Sequence, residues 1–245
     1  MGTSRVSGAL VVIAATVGAI VAASPSLASA SPRTAPNHRL HYGVSTNWSG
    51  YAVAGAGPYT SVSASWTQPA VECKTTASGY SAFWVGLDGD TSRTVEQTGT
   101  EANCIHGTAR YAAWYEMFPK RAVNYPDRVA PGDSLSASVT SSGHGRFMLT
   151  LTDSTQGWSH STPKRRGSAR RASAEVIAEA PSTRRGVLPL ADFGAIGFGG
   201  ASVDGSPLSG STPGIEPLTM AAGGTVKAEP SPDDEGSFSV TWEDE

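Results

Sequence analysis

The chain has 245 residues, 18 basic and 21 acidic, with a formal net charge of −3 at pH 7. That balance offers no basic field, so nucleic acid is excluded as an expected partner. Only 16% of residues are charged, while 28 Gly and 16 Pro signal many turns, a texture compatible with an extracellular β protein.

Residues 1–30 read as a signal peptide. One early arginine precedes the apolar run "GALVVIAATVGAIVAA", and "ASA" at 28–30 fits a small-x-small cleavage site. The competing reading, an uncleaved anchor, suffers from a short run soon broken by Ser24 and Pro25. The expected product is secreted, extracellular and monomeric, has no membrane contact after signal removal, and carries a charge of about −4. Residues 31–43 read as a flexible lead-in or short propeptide, and 44–245 as one β-sandwich domain. Cys73 and Cys104 are expected to pair in an oxidising compartment. Two distant cysteines and one nearby His106 are too few for a metal site, and no cofactor is expected.

From Val44 onward the pattern is that of strands. "VSASWTQPAV" alternates Val62, Ala64 and Trp66 with polar residues, and "SAFWVGLDG" is continuously apolar, as a central strand would be. "ARYAAWYEMFP" places large rings on both faces. "PGDSLSASVTSSGHGRFMLTLTDST" reads as a hairpin turning at "SSGHG". "SAEVIAEAP" sets Ala174, Val176 and Ala178 against Glu175, Ile177 and Glu179. Lys164–Arg171, "KRRGSARR", reads as a solvated loop or a protease-sensitive or partner-binding one. The Gly-, Ser- and Pro-rich stretch 199–232 reads as long surface loops around one or two edge strands. No segment sustains helical periodicity, so the expected fold class is all-β, a sandwich of two large antiparallel sheets of concanavalin-like or jelly-roll-like form.

The familiar catalytic patterns are missing. No G-x-S-x-G or H-E-x-x-H occurs, and none of His38, His41, His106, His144 and His160 adjoins a recognisable nucleophile elbow. Carboxylate and amide chemistry remains. A glutamate can take a proton from water and return it to a leaving amine, while a primary amide can donate to a developing oxyanion.

Five motifs single out such a pair: "NWSGYAV" (47–53), "FWVGLDGD" (83–90), "VEQTGT" (95–100), "YAAWYEMFP" (111–119) and "SAEVIAEAP" (173–181). In this order and spacing they closely resemble the glutamic peptidases, the pepstatin-insensitive acid peptidases also called eqolisins. The resemblance implies a β-sandwich with a substrate cleft, a protein or peptide substrate, and a catalytic dyad of Gln97 and Glu175. It implies further that Asp88 and Glu116 support the dyad, and that Trp48, Trp84 and Trp114 wall the cleft. Fungal members carry an Asp after the Tyr of "YDAWYE", where this chain has Ala112, so whatever tuning that carboxylate supplies is absent or comes from elsewhere.

Plainer readings stand beside these. Trp66, Trp84 and Trp114 suit a core, Asp88 can shape a turn, and Glu96 should face away from Gln97. Glu179 shares the face of Glu175 and competes for its role on local grounds. A secreted carbohydrate-binding sandwich with exposed indoles, or a glycosidase using Glu116 and Glu175, are the alternative functions.

Overall fold

A computed structural model describes residues 1–2, 43–74 and 76–244; the expected signal peptide and nearly all of the lead-in lie outside the described residues. Thirteen strands carry the architecture: β1 (Trp48–Ala54), β2 (Ser61–Thr67), β3 (Gly79–Leu87), β4 (Val95–Ile105), β5 (Thr108–Phe118), β6 (Ser134–Gly143), β7 (Arg146–Asp153), β8 (Trp158–Arg165), β9 (Ser173–Glu179), β10 (Ala195–Val203), β11 (Ile215–Ala222), β12 (Thr225–Pro230) and β13 (Phe238–Trp242). Five two-residue strands complete the set, and no helix occurs among the described residues.

The strands form two antiparallel layers. The back layer runs β8-β7-β6-β2-β10-β13-β12-β11, and the front layer runs β11-β1-β9-β3-β4-β5. β11 belongs to both. Its first half pairs with β1 and its second half with β12, so the chain turns the corner between layers within one strand. Pro217 sits in the first half, opposite Tyr51. The stretch expected to be surface loops therefore holds the strand that joins the sheets. Its Gly, Ser and Pro content masked β10–β12, because a corner tolerates residues that a flat central strand would reject.

The layers differ in what their outer faces meet. In the back layer, burial alternates strictly: along β2, Val62, Ala64 and Trp66 are buried while the serines between them face outward. In the front layer, β9 is buried at all seven positions and β3 at eight of nine. One apolar cluster fills the space between the layers, with Phe83, Val85, Leu87, Leu149 and Leu151 at its centre. A second lies on the far face of the front layer and contains Trp48, Trp84, Trp114 and Ile177. Trp66 belongs to the first, and its Nε1–H spans the core to donate to Thr100 Oγ1 at 3.1 Å.

Two hairpins show turn chemistry directly. His106–Gly107 and His144–Gly145 are two-residue loops with φ of 51°, 73°, 52° and 67°, the pair of positive values that a twisted hairpin requires. Two of the five histidines are thus accounted for as turn residues. Lys164 and Arg165 fall within β8, and Arg166 is largely buried, so the basic stretch is not simply a solvated loop.

Cys73, in the segment leading to β3, is bonded to Cys104 near the end of β4, with the Cα atoms 5.3 Å apart. The bridge closes a loop of 31 residues, for which chain entropy gives about 3–4 kcal/mol. Replacing both cysteines by serine is expected to lower unfolding free energy by about that amount in urea titration. An unchanged midpoint would show that the loop is already constrained when unfolded.

Candidate active site

The site follows from sheet register. Glu175 on β9 stands opposite Gly86 on β3, Gly86 opposite Gln97 on β4, and Gln97 opposite Glu116 on β5. Residues paired in this way share a face. All four point away from the central core, on the side of the second apolar cluster. Glu175 and Gln97 are two strand spacings apart, about 9–10 Å between Cα atoms. Gly86, between them in the register, has no side chain. A Cβ there would lie 2.8 Å from the Trp84 ring and 3.2 Å from Gln97 Cβ. The glycine therefore leaves the space between the Gln97 and Glu175 strands free of a side chain.

Glu116 orients the amide: Gln97 Nε2 donates to Glu116 Oε2 at 2.7 Å. Glu175 is fully buried, and neither of its oxygens has a well-formed hydrogen bond to any described residue. The Ser173 hydroxyl and the Asp90 amide lie near enough to favour its ionised form somewhat. Glu179 differs. Its Oε2 accepts from Trp84 Nε1 at 2.8 Å and its Oε1 from Asn47 Nδ2 at 3.1 Å. Of the two glutamates that compete on local sequence, Glu179 is bound into the indole cluster and Glu175 is not.

Trp48, Trp84 and Trp114 all lie on the dyad's face and are buried, with Trp48 and Trp84 packed edge to face at 4.9 Å. Asp88 stands past the end of β3 in a left-handed conformation, φ 68°. Its carboxylate accepts from the backbone N–H groups of Arg171 at 2.7 Å and Ala172 at 2.8 Å, which lead into β9. Its role thus combines turn shaping with support of the Glu175 strand. Glu96 does face the opposite side, as alternation requires, but it is fully buried rather than solvated.

Two features escaped the sequence reading. Glu101 stands directly opposite Ala112, so a carboxyl faces the alanine at that position. Even spacing from Gln97 to Glu101 along one strand was the available signal. The contact between Glu96 and Arg166, 3.5 Å between Oε1 and Nε, joins residues 70 apart and had no local signal. Among the described residues, no group of three or more His, Cys, Asp or Glu side chains is arranged to hold a metal ion.

Burial dominates the electrostatics. It raises Glu175 well above its ordinary value, with the charges of Asp90 and Asp88 adding to the effect. It raises Glu179 likewise, helped by Glu116. Asp90 is pushed up to about 6 by burial and by Glu216, and Glu101 to about 7 by burial. Glu96 is pushed up to about 9 by burial and by Asp88, against the pull of Arg166. Such groups hold their protons more tightly folded than unfolded. Their stabilisation is complete below the ordinary carboxyl values and drains away as pH rises through the folded ones. The thermal midpoint is therefore expected to fall steadily from about pH 4 to about pH 9, followed by circular dichroism. A midpoint that climbs over that range would contradict the assignment.

Comparison with known proteins identifies the family and the fold. The model of the peptidase A4 family matches residues 46–242. Aspergillopepsin-2 of Aspergillus niger is 30% identical over 199 residues, covering 72% of this chain and 69% of that protein. Scytalidopepsin B of Scytalidium lignicola is 30% identical over 178 residues, covering 71% of this chain and 62% of that protein. The crystal structure of scytalido-glutamic peptidase with a transition state analog inhibitor superposes with a TM-score of 0.70 at 26% identity, covering 81% of this chain and 98% of that one. The sandwich fold and the peptidase activity expected from the motifs follow together: this chain belongs to the peptidase A4 family, the glutamic peptidases or eqolisins.

Proposed function

We propose that the protein is a secreted acid endopeptidase in which Glu175 and Gln97 hydrolyse peptide bonds without a covalent intermediate. The observation that carries this reading is the register row Glu175–Gly86–Gln97–Glu116 on one sheet face. Ionised Glu175 takes a proton from a water held over Gly86 as that water attacks the scissile carbonyl. Charge develops on the carbonyl oxygen, and we assign the Gln97 amide, oriented by Glu116, as its donor. A buried carboxyl has high proton affinity, so it makes a strong base and then a ready acid toward the leaving nitrogen. Buried Trp84 and Trp114 exclude water around the reacting atoms.

The carbohydrate alternatives find less support. Sugar stacking needs exposed indoles, and all six tryptophans are buried or half-buried. A Glu116–Glu175 glycosidase needs two carboxyls facing one bond, whereas Glu116 bonds the amide of Gln97, which stands between them. The relatives are fungal pepsin-like peptidases by name, and this supports the extracellular reading of residues 1–30.

Glu175→Gln and Gln97→Ala are each expected to abolish cleavage of an acid-denatured protein at acidic pH, while circular dichroism stays that of the wild type. Full activity in a folded, contaminant-free Glu175→Gln sample would end the proposal. Asp90→Asn removes a negative neighbour that favours the protonated form of Glu175. The ionisation limb of kcat/KM is therefore expected to move to lower pH. A limb that moves upward, or stays in place, would detach Asp90 from the dyad.

A further inference from the structure

Gln97 and Glu175 are each the third residue of their strand, so both stand close to where a sheet ladder begins. Their spacing depends on what holds those two strand starts. On the core-facing side of the same sheet end lies a buried polar chain that touches both. Arg166, which follows β8, donates from Nη2 to the carbonyl of Met117 at 2.6 Å and places Nε 3.5 Å from Glu96 Oε1. Met117 adjoins Glu116, and Glu96 adjoins Gln97. Next to Glu96 is Asp88. Asp88 accepts the Arg171 and Ala172 amides and donates its own N–H to the Ser173 carbonyl at 2.9 Å, securing the three residues before Ala174 and Glu175.

We propose that Arg166 and Glu96 are positioning residues for the dyad, forming with Asp88 a buried strut that sets the separation of the Gln97 and Glu175 strands. The inference rests on the dyad reading above. Four backbone groups, of Met117, Arg171, Ala172 and Ser173, are tied through this strut, and each lies within four residues of a group in the register row. Glu96 is completely buried and Arg166 nearly so, which means that the strut is shielded from solvent competition. Burial keeps Glu96 protonated over the acidic and neutral range. In that form its carboxyl can donate toward Asp88 and present an oxygen to Arg166 across the 3.5 Å contact, a role that a glutamine amide can reproduce.

A strut can be told apart from a folding element, because the two make opposite forecasts for apolar replacement. Exchanging a buried polar pair that contains a charged group for apolar side chains of similar volume is often neutral or stabilising. A fold-supporting role for the pair thus predicts activity that follows stability, whereas a positioning role predicts that the two separate. The full-length protein is assayed at acidic pH on a quenched peptide for kcat and KM, with the thermal midpoint measured on the same samples. The variants are Glu96→Leu/Arg166→Met, Glu96→Gln and Glu175→Gln. The double variant is expected to keep its midpoint and KM while kcat falls about 10- to 100-fold, the cost of a misplacement near 1 Å. Glu96→Gln is expected to retain kcat within about twofold, since the amide preserves both contacts. A double variant with kcat within about twofold of wild type, beside an inactive Glu175→Gln, overturns the strut and leaves the dyad standing. Loss of activity in Glu96→Gln as deep as in the double variant also overturns it. Full activity in Glu175→Gln overturns both readings. If the double variant does not fold, Arg166→Lys decides. A lysine presents no two-point fork, so about a tenfold loss of kcat is expected, and unchanged kcat rejects the strut.

Discussion

Antiparallel register is the constraint on which the site depends. Side chains alternate along a strand, so the cross-sheet row Glu175–Gly86–Gln97–Glu116 exists only while β9, β3, β4 and β5 keep their present pairing. A slip of one residue along β4 would turn Gln97 into the core and bring Glu96 to the reacting face. The front layer resists that slip because both of its faces are buried. Ala102 and Cys104 of β4 pack in the central core, while Trp84 and Trp114 fill the opposite side around Gly99. The disulfide lies near the far end of β4, and the proposed strut lies at its start, where it would act on the same register.

Burial of this face sets its chemistry. Carboxyls removed from water bind protons tightly, and the sandwich collects several of them: Glu96, Glu175 and Glu179 fully buried, with Asp90 and Glu101 partly covered. At acidic pH these groups are neutral and cost little to bury, while near neutrality the same burial opposes their ionisation. Stability and the proposed mechanism diverge at Glu175, whose base step needs the ionised form that burial opposes. Protonated carboxyls relieve the fold, and a carboxyl of raised proton affinity suits the cycle from base to acid.

Much of this was legible along the chain. Alternation marked β2, β6, β7 and β9, and the five ordered motifs pointed to Gln97 and Glu175 together with their indole neighbours. The choice between Glu175 and Glu179 was not legible from spacing, since four residues along a strand return to the same face. Hydrogen bonds from Asn47 and Trp84 distinguish them, and those partners lie 132 and 95 residues away. β10 to β12 were hidden because Pro217 and the glycines read as loop, while in space they form the corner between layers. Arg166 looked like one charge in a basic run. Only the fold brings it to Met117 and Glu96.

The most direct measurement is a crystal structure of this protein with a tetrahedral peptide analogue bound, at resolution sufficient to place individual oxygens. One oxygen of the tetrahedral centre is expected within hydrogen-bond distance of the Glu175 carboxyl and the other within reach of Gln97 Nε2, both above Gly86. An analogue whose tetrahedral centre contacts neither side chain, or only Glu179 and Glu101, would contradict the assignment of the reaction to this row.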